Sequence, residues 1–198
     1  MKVADKLSAL RIILAPVFFI VYFIPKWNLA GIGPRFAGFS VWSIPVLWLL
    51  FVVSELTDML DGMVARRRKE VSDFGKLLDP FADTLVQITY FLCFVLDGIL
   101  PAVLYVLVLY REFCMLFLRN LMLRKGIAQG ARMGGKIKTV AYITACALAL
   151  LAVSIRRLYP DSRFVPAVTI AAAAVFAVSV ALAVFSFADY VKVYRSST

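Results

Sequence analysis

The stretch DMLDGMVARRRKEVSDFGKLLDPFAD, residues 58–83, concentrates the groups of this chain best suited to chemistry. Asp58 and Asp61 stand three residues apart and Asp79 and Asp83 four apart. Such spacings put each pair on one face of a helix. Gly62, Ala65 and Arg66 follow Asp58 along broadly the same face, and Gly75 precedes Asp79 by one turn. If the two helices pack side by side, four carboxylates converge. Four anions in a partly dehydrated site repel one another unless cations join them. A donor set of hard oxygens, in a chain that contains no histidine, favours Mg²⁺ or Mn²⁺, as one ion or two. Gly62, Ala65 and Gly75 leave room for a nucleotide to approach the backbone. Arg66 can fork onto a phosphate or a base edge. The chemistry indicated is metal-assisted handling of a phosphate ester.

A lone Asp-x-x-Asp near the end of a membrane helix would be an ordinary solvated face. Here four Asp, two Gly, one Ala and one Arg recur in fixed order, and the four Asp are drawn from only 12 acids in the chain. Ionisable residues at membrane depth mark functional sites by default. Pro80 removes one helical donor, which is tolerable where the backbone lines a cavity.

The elements that must carry these residues are membrane helices. Of 198 residues 63% are apolar, and the mean hydropathy is +0.89, well above a soluble domain. Apolar runs long enough to cross a bilayer fall near 8–25, 40–65, 75–96, 100–121, 138–155 and 165–190. Turn and charge signals separate them: Gly31, Gly33 and Pro34, the basic run at 66–69, Gly98 and Pro101, the 126–135 segment, and Pro160. The expected architecture is all-α: six transmembrane helices in a single domain, with no room for a separate soluble one. The first run reads as a retained span anchored at Pro25–Lys26–Trp27 rather than as a cleaved signal. Ala145, Ala147, Ala149 and Ala152, with Ala171–Ala174, suit close helix packing in lipid. Cys93, Cys114 and Cys146 lie inside apolar runs without metal-site spacing and read as small buried hydrophobes.

Net charge is +10. With both termini, the 66–76 loop and the 111–138 region placed inside, the outside keeps only Lys26, Arg35, Arg156, Arg157 and Arg163 of 22 basic residues. That asymmetry orients the chain in the cytoplasmic membrane and puts the aspartates on the cytoplasmic side. The basic excess then serves orientation and anionic headgroups or substrates, not nucleic acid. The chain is compatible with a homodimer.

Asp58-x-x-Asp61-Gly62-x-x-Ala65-Arg66, eight residues, then Gly75-x-x-x-Asp79-x-x-x-Asp83 resembles the signature of the CDP-alcohol phosphotransferases, with every signature position matched. The resemblance implies a six-span fold with a polar cavity open to the cytoplasm, and transfer of a substituted phosphoryl group from a CDP-linked donor to an alcohol with release of CMP. It also implies roles: Asp58, Asp61, Asp79 and Asp83 as ligands of two metal ions, Asp83 additionally as the base for the attacking hydroxyl, and Thr57, Asp61, Gly62, Ala65, Arg66 and Gly75 around the CDP moiety.

A looser resemblance covers most of the rest. Arg111–Glu112, Arg119, and Gly135-Lys136-x-Lys138-Thr139, with Arg11 and Pro16 near the start, are similar to the bacterial phosphatidylglycerophosphate synthase branch of that family. This implies CDP-diacylglycerol as donor and glycerol 3-phosphate, a small phosphorylated alcohol, as acceptor. Arg111 lies inside an expected span, where a cation must be paired or face a cavity. With Arg119, Arg132, Lys136 and Lys138 it would suit an acceptor phosphate. Arg124 and Lys125 read as positive-inside charges. Thr84 departs from the branch, which commonly carries Lys after the last aspartate. The competing readings are an inositol phosphate acceptor, or CDP-choline or CDP-ethanolamine with diacylglycerol. A reading of another class is a divalent-cation transporter, which would need polar residues along the membrane's depth rather than at one end.

Overall fold

Each apolar run folds as one helix. A computed structural model places α1 at Val3–Phe23, α2 at Phe39–Arg68, α3 at Asp73–Leu96, α4 at Ala102–Arg124, α5 at Met133–Leu158 and α6 at Phe164–Ser196, with a 3₁₀ turn at Ile24–Lys26. The structure describes residues 3–26, 39–68, 73–125 and 133–196; the side chains of 3–4, 39, 61–68, 73–74, 76, 133–134 and 136 fall outside that description. No strand occurs among the described residues. The helices overrun the expected spans chiefly at polar ends, α6 as far as Ser196. Hydropathy marks only the apolar middle of a membrane helix, while backbone hydrogen bonding continues into the polar flanks.

Among the described residues five helices contain stretches long and apolar enough to cross a bilayer: Asp5–Lys26, Ser40–Leu60, Leu77–Leu96, Ile137–Leu158 and Phe164–Ser196. The chain is a multi-pass membrane protein by that measure. The fourth helix is the exception, because Arg111, Glu112 and Arg119 interrupt its apolar run. Large apolar side chains such as Trp42, Val103, Ile170 and Phe185 point outward, a surface suited to lipid rather than water.

The chain divides into two compact units. The first comprises residues 1–93 with 157–160, and so holds α1, α2 and most of α3. The buried stripe of α1 runs Asp5, Ser8, Arg11, Ala15, Phe18 and Tyr22, steps of three and four that follow one helical face. Its apolar half packs Phe18 against Tyr90, ring centroids 4.4 Å apart, and Tyr90 against Phe51 at 5.7 Å. Arg157 closes the unit. Its guanidinium lies 4.9 Å from the Tyr22 ring centre and donates to the Ser43 hydroxyl at 2.6 Å and the Tyr22 carbonyl at 2.9 Å.

The second unit comprises residues 94–156 and 161–198. Met115, Leu118 and Met122 of α4 bury against Tyr190 of α6. Ala145, Ala149, Ala152, Ala172 and Ala183 are buried, so part of each alanine run serves close packing, while Ala171 and Ala174 face outward. Gly98 ends α3 with φ +73°. The amide of Gly98 donates to Val95 O and that of Ile99 to Phe94 O, both at 2.9 Å, a left-handed cap that satisfies the last carbonyls of the helix. Cys93 and Cys146 are buried as expected, but Cys114 is exposed. It lies on the outward face of α4 beside Phe113 and Phe117, where an apolar position meets lipid rather than the core.

Candidate active site

The aspartate face of α2 meets that of α3 within the first unit. Carboxylate oxygens of Asp58, Asp79 and Asp83 lie within 4.8 Å of one another. Asp61, Gly62, Ala65 and Arg66 belong to the same helix, α2, but their side chains lie outside the described residues. Gly75, one turn before Asp79, is partly buried. Thr57 is buried, and its hydroxyl donates back to the Val53 and Ser54 carbonyls at 2.9 and 2.8 Å. Only its lone pairs therefore remain to meet a ligand.

A residue from α1 stands at the centre of this group. Arg11 Nη1 donates to Asp58 Oδ1 at 2.6 Å and to Asp83 Oδ1, and Nη2 donates to Asp79 Oδ1 at 2.5 Å. Ser8 Oγ, one turn earlier, reaches Asp79 Oδ1 at 3.4 Å. The guanidinium is 2% exposed, whereas the three carboxylates are between 36% and 46% exposed. The cation thus approaches from the packed side and the carboxylates open on the other. Sequence reading placed Arg11 only in a family-like N-terminal segment. The signal that finds it is physical: a cation one turn inside an apolar run must have partners.

The donor set fits a divalent ion. It is composed of hard carboxylate oxygens, and oxygens on one Mg²⁺ at about 2.1 Å lie up to about 4.2 Å apart, near the spacing seen here. Three carboxylates against one guanidinium leave the described group with an excess of negative charge.

The second unit carries its own buried polar group. Arg111 Nη1 donates to both Glu112 oxygens at 2.8 Å, and Arg111 Nε to the Ala183 carbonyl at 3.0 Å. Lys138 Nζ donates to Glu112 Oε1 at 2.9 Å and sits 4.7 Å from the Tyr142 ring centre, while the Tyr142 hydroxyl reaches the same oxygen at 3.3 Å. Arg111, Glu112 and Lys138 are each less than 10% exposed. Arg111 and Lys138 therefore meet through Glu112, a pairing that the sequence leaves open. Two cations on one carboxylate leave one net positive charge. Arg119 is partly buried on α4 two turns beyond Arg111. Lys136 lies on α5, its side chain outside the described residues; Arg132 is itself outside them. Thr84 is buried on α3.

Known proteins are similar to this chain in sequence over most of its length. The sequence pattern described as CDP-alcohol phosphatidyltransferase matches residues 1–185. A CDP-diacylglycerol–glycerol-3-phosphate 3-phosphatidyltransferase of Treponema pallidum is 36% identical over 98% of this chain and 89% of its own length. The protein of the same name from Bacillus subtilis is 36% identical over 74% of this chain and 75% of its own. A probable phosphatidylglycerophosphate synthase of Mycobacterium tuberculosis is 30% identical over 96% and 80%. The match takes in α1 with Arg11, the aspartate faces of α2 and α3, and the Arg111–Glu112–Lys138 group together, so this membrane protein is an enzyme of the CDP-alcohol phosphatidyltransferase family.

Proposed function

We propose that the protein transfers the phosphatidyl group of CDP-diacylglycerol to glycerol 3-phosphate, giving phosphatidylglycerophosphate and CMP. The observation that carries this reading is the gathering of Asp58, Asp79 and Asp83 within 4.8 Å, in a chain whose full-length relative bears that activity in its name. Asp58, Asp61, Asp79 and Asp83 hold one or two divalent ions, Mg²⁺ or Mn²⁺. Bound there, such ions neutralise the pyrophosphate and stabilise entering and leaving oxygens. Thr57, Gly62, Ala65, Arg66 and Gly75, with Asp61, seat the cytidine diphosphate. Asp83 takes the proton of the acceptor hydroxyl. That oxygen bonds to the β-phosphorus, and the bond from phosphorus to CMP breaks in line.

Arg111, Arg119, Arg132, Lys136 and Lys138 receive the phosphate of the acceptor. The net positive charge left after Glu112 is shared supports this, because a buried excess cation favours an anionic ligand. A six-span, single-domain arrangement with the site on the cytoplasmic side of the inner membrane accompanies the reading. The fourth helix, 23 residues long, measures about 34 Å, enough for a bilayer core. Its Arg111 and Glu112 are buried and paired, the condition under which charges cross a membrane.

The test is CMP release by purified protein from CDP-diacylglycerol with one acceptor at a time. Glycerol 3-phosphate should support release and Asp83→Asn should abolish it with the helical spectrum intact. Release with inositol phosphate alone would replace the acceptor in this reading.

A further inference from the structure

Three helices converge on one guanidinium. Arg11 from α1 donates to Asp58 from α2 and to Asp79 and Asp83 from α3. It is the most enclosed member of the group, at 2% exposure. Such a cation can act in two ways toward a divalent ion on the same carboxylates. It can brace the carboxylates while the ion sits on their open side, or it can compete with the ion.

Two observations favour competition. Arg11 already engages one oxygen of each of the three carboxylates, the charge-assisted bonds that are stronger than neutral ones. Each bond so made leaves its carboxylate one lone pair fewer to offer a shared ion. Moreover, oxygens held within 4.8 Å of one another put any ion between them within a few ångströms of the guanidinium carbon, where like charges repel strongly in a partly dehydrated site. A neighbouring charge at such range changes a carboxylate's proton affinity by about ten- to a thousandfold, and the same field acts on a metal cation.

We infer that Arg11 is a tethered counter-cation that competes with divalent ions for Asp58, Asp79 and Asp83. It holds the three carboxylates together and is displaced from them as the ion binds. The inference rests on the metal reading above and deepens it. Arg11 donates to Asp83 Oδ1, so its displacement exchanges one cation for another at the residue proposed as the base. It is a positioning residue, acting through the aspartates.

Mn²⁺ binding to the full chain in detergent micelles, followed by the electron paramagnetic signal of free Mn²⁺, tests this. Asp79→Asn identifies binding that belongs to this site by losing it. Arg11→Gln should bind Mn²⁺ about tenfold or more tighter than wild type, with Arg11→Lys in between. Melting in EDTA should be lower for Arg11→Gln than for wild type, and Mn²⁺ should narrow the gap. Equal or weaker Mn²⁺ binding by folded Arg11→Gln or Arg11→Lys overturns competition in favour of bracing. Should neither variant fold, arginine side-chain NMR of the ¹⁵N-labelled wild type decides. The Arg11 signal should shift on saturation with Mg²⁺, and a signal unmoved at saturation overturns the inference. A wild type that binds no Mn²⁺ defeats the metal reading itself and this inference with it. Site-specific binding that is unaltered by Arg11→Gln defeats only the competition.

Discussion

Replacing Glu112 should be among the most damaging single changes outside the aspartate group. Its carboxylate receives both a bidentate contact from Arg111 at 2.8 Å and the Lys138 ammonium at 2.9 Å. All three residues are less than 10% exposed, so screening by water is slight. Removing one partner of a buried ion pair costs about 3–5 kcal/mol, mainly because the other charge stays buried unpaired. Glu112→Gln keeps the shape and one acceptor oxygen, and belongs near about 3 kcal/mol; Glu112→Ala belongs near about 5 kcal/mol. The excess positive charge also separates this from simple loss of packing. Adding Lys138→Met to Glu112→Gln removes one stranded cation and should recover roughly 1 kcal/mol or more, a non-additivity expected of residues in one network. Unfolding in mixed detergent micelles, followed by far-ultraviolet circular dichroism, measures all three variants. A Glu112→Gln cost below about 1 kcal/mol, the range of exposed pairs, would refute the reasoning, as would a Lys138→Met change that adds to the loss.

Two further changes probe the scaffold. Gly98→Val forces a branched side chain into φ +73° with no atom within 4 Å of the added Cβ. The cost should therefore be conformational, about 1–2 kcal/mol, and Gly98→Asn should lose less on the same unfolding assay because Asn tolerates the left-handed region. Arg157→Ala removes two hydrogen bonds and a ring contact, for about 1–3 kcal/mol of stability. Its Mn²⁺ affinity should match wild type, since Arg157 bonds to Ser43 and Tyr22.

Element positions were legible because membrane helices announce themselves twice, in apolar length and in the glycines and prolines between them. The α3–α4 turn at Gly98 and Pro101 shows both signals. The aspartate faces were legible because spacings of three and four have one meaning on a helix. What escaped sequence reading was partnership across elements. Arg11 reaches acids 47 to 72 residues away, and nothing in local periodicity links them. Glu112 drew attention as a neighbour of Arg111, yet its second partner Lys138 comes from another helix. Thr57 illustrates the converse. Its type suits a ligand, but a threonine inside a helix can turn its hydroxyl onto the preceding turn, and this one does. Cys114 was misplaced because an apolar residue in a membrane helix has two apolar destinations, the core and the lipid.

The placement of Arg11 on the first helix bears on how the protein is made. Position 11 lies within the candidate span Asp5–Lys26, and an arginine at the centre of a span raises the insertion cost by about 2.5–3.5 kcal/mol, less toward the ends. Its last neutralising partner, Asp83, emerges 72 residues later, roughly 4–14 s at ordinary synthesis rates. For that interval α1 carries a guanidinium whose eventual partners have not all been translated. The aspartate cluster is thus also a delayed clasp in biogenesis: completion of α3 is what makes α1 a comfortable membrane segment, and chains truncated before Asp79 should hold their first helix in the bilayer less firmly than the full chain does.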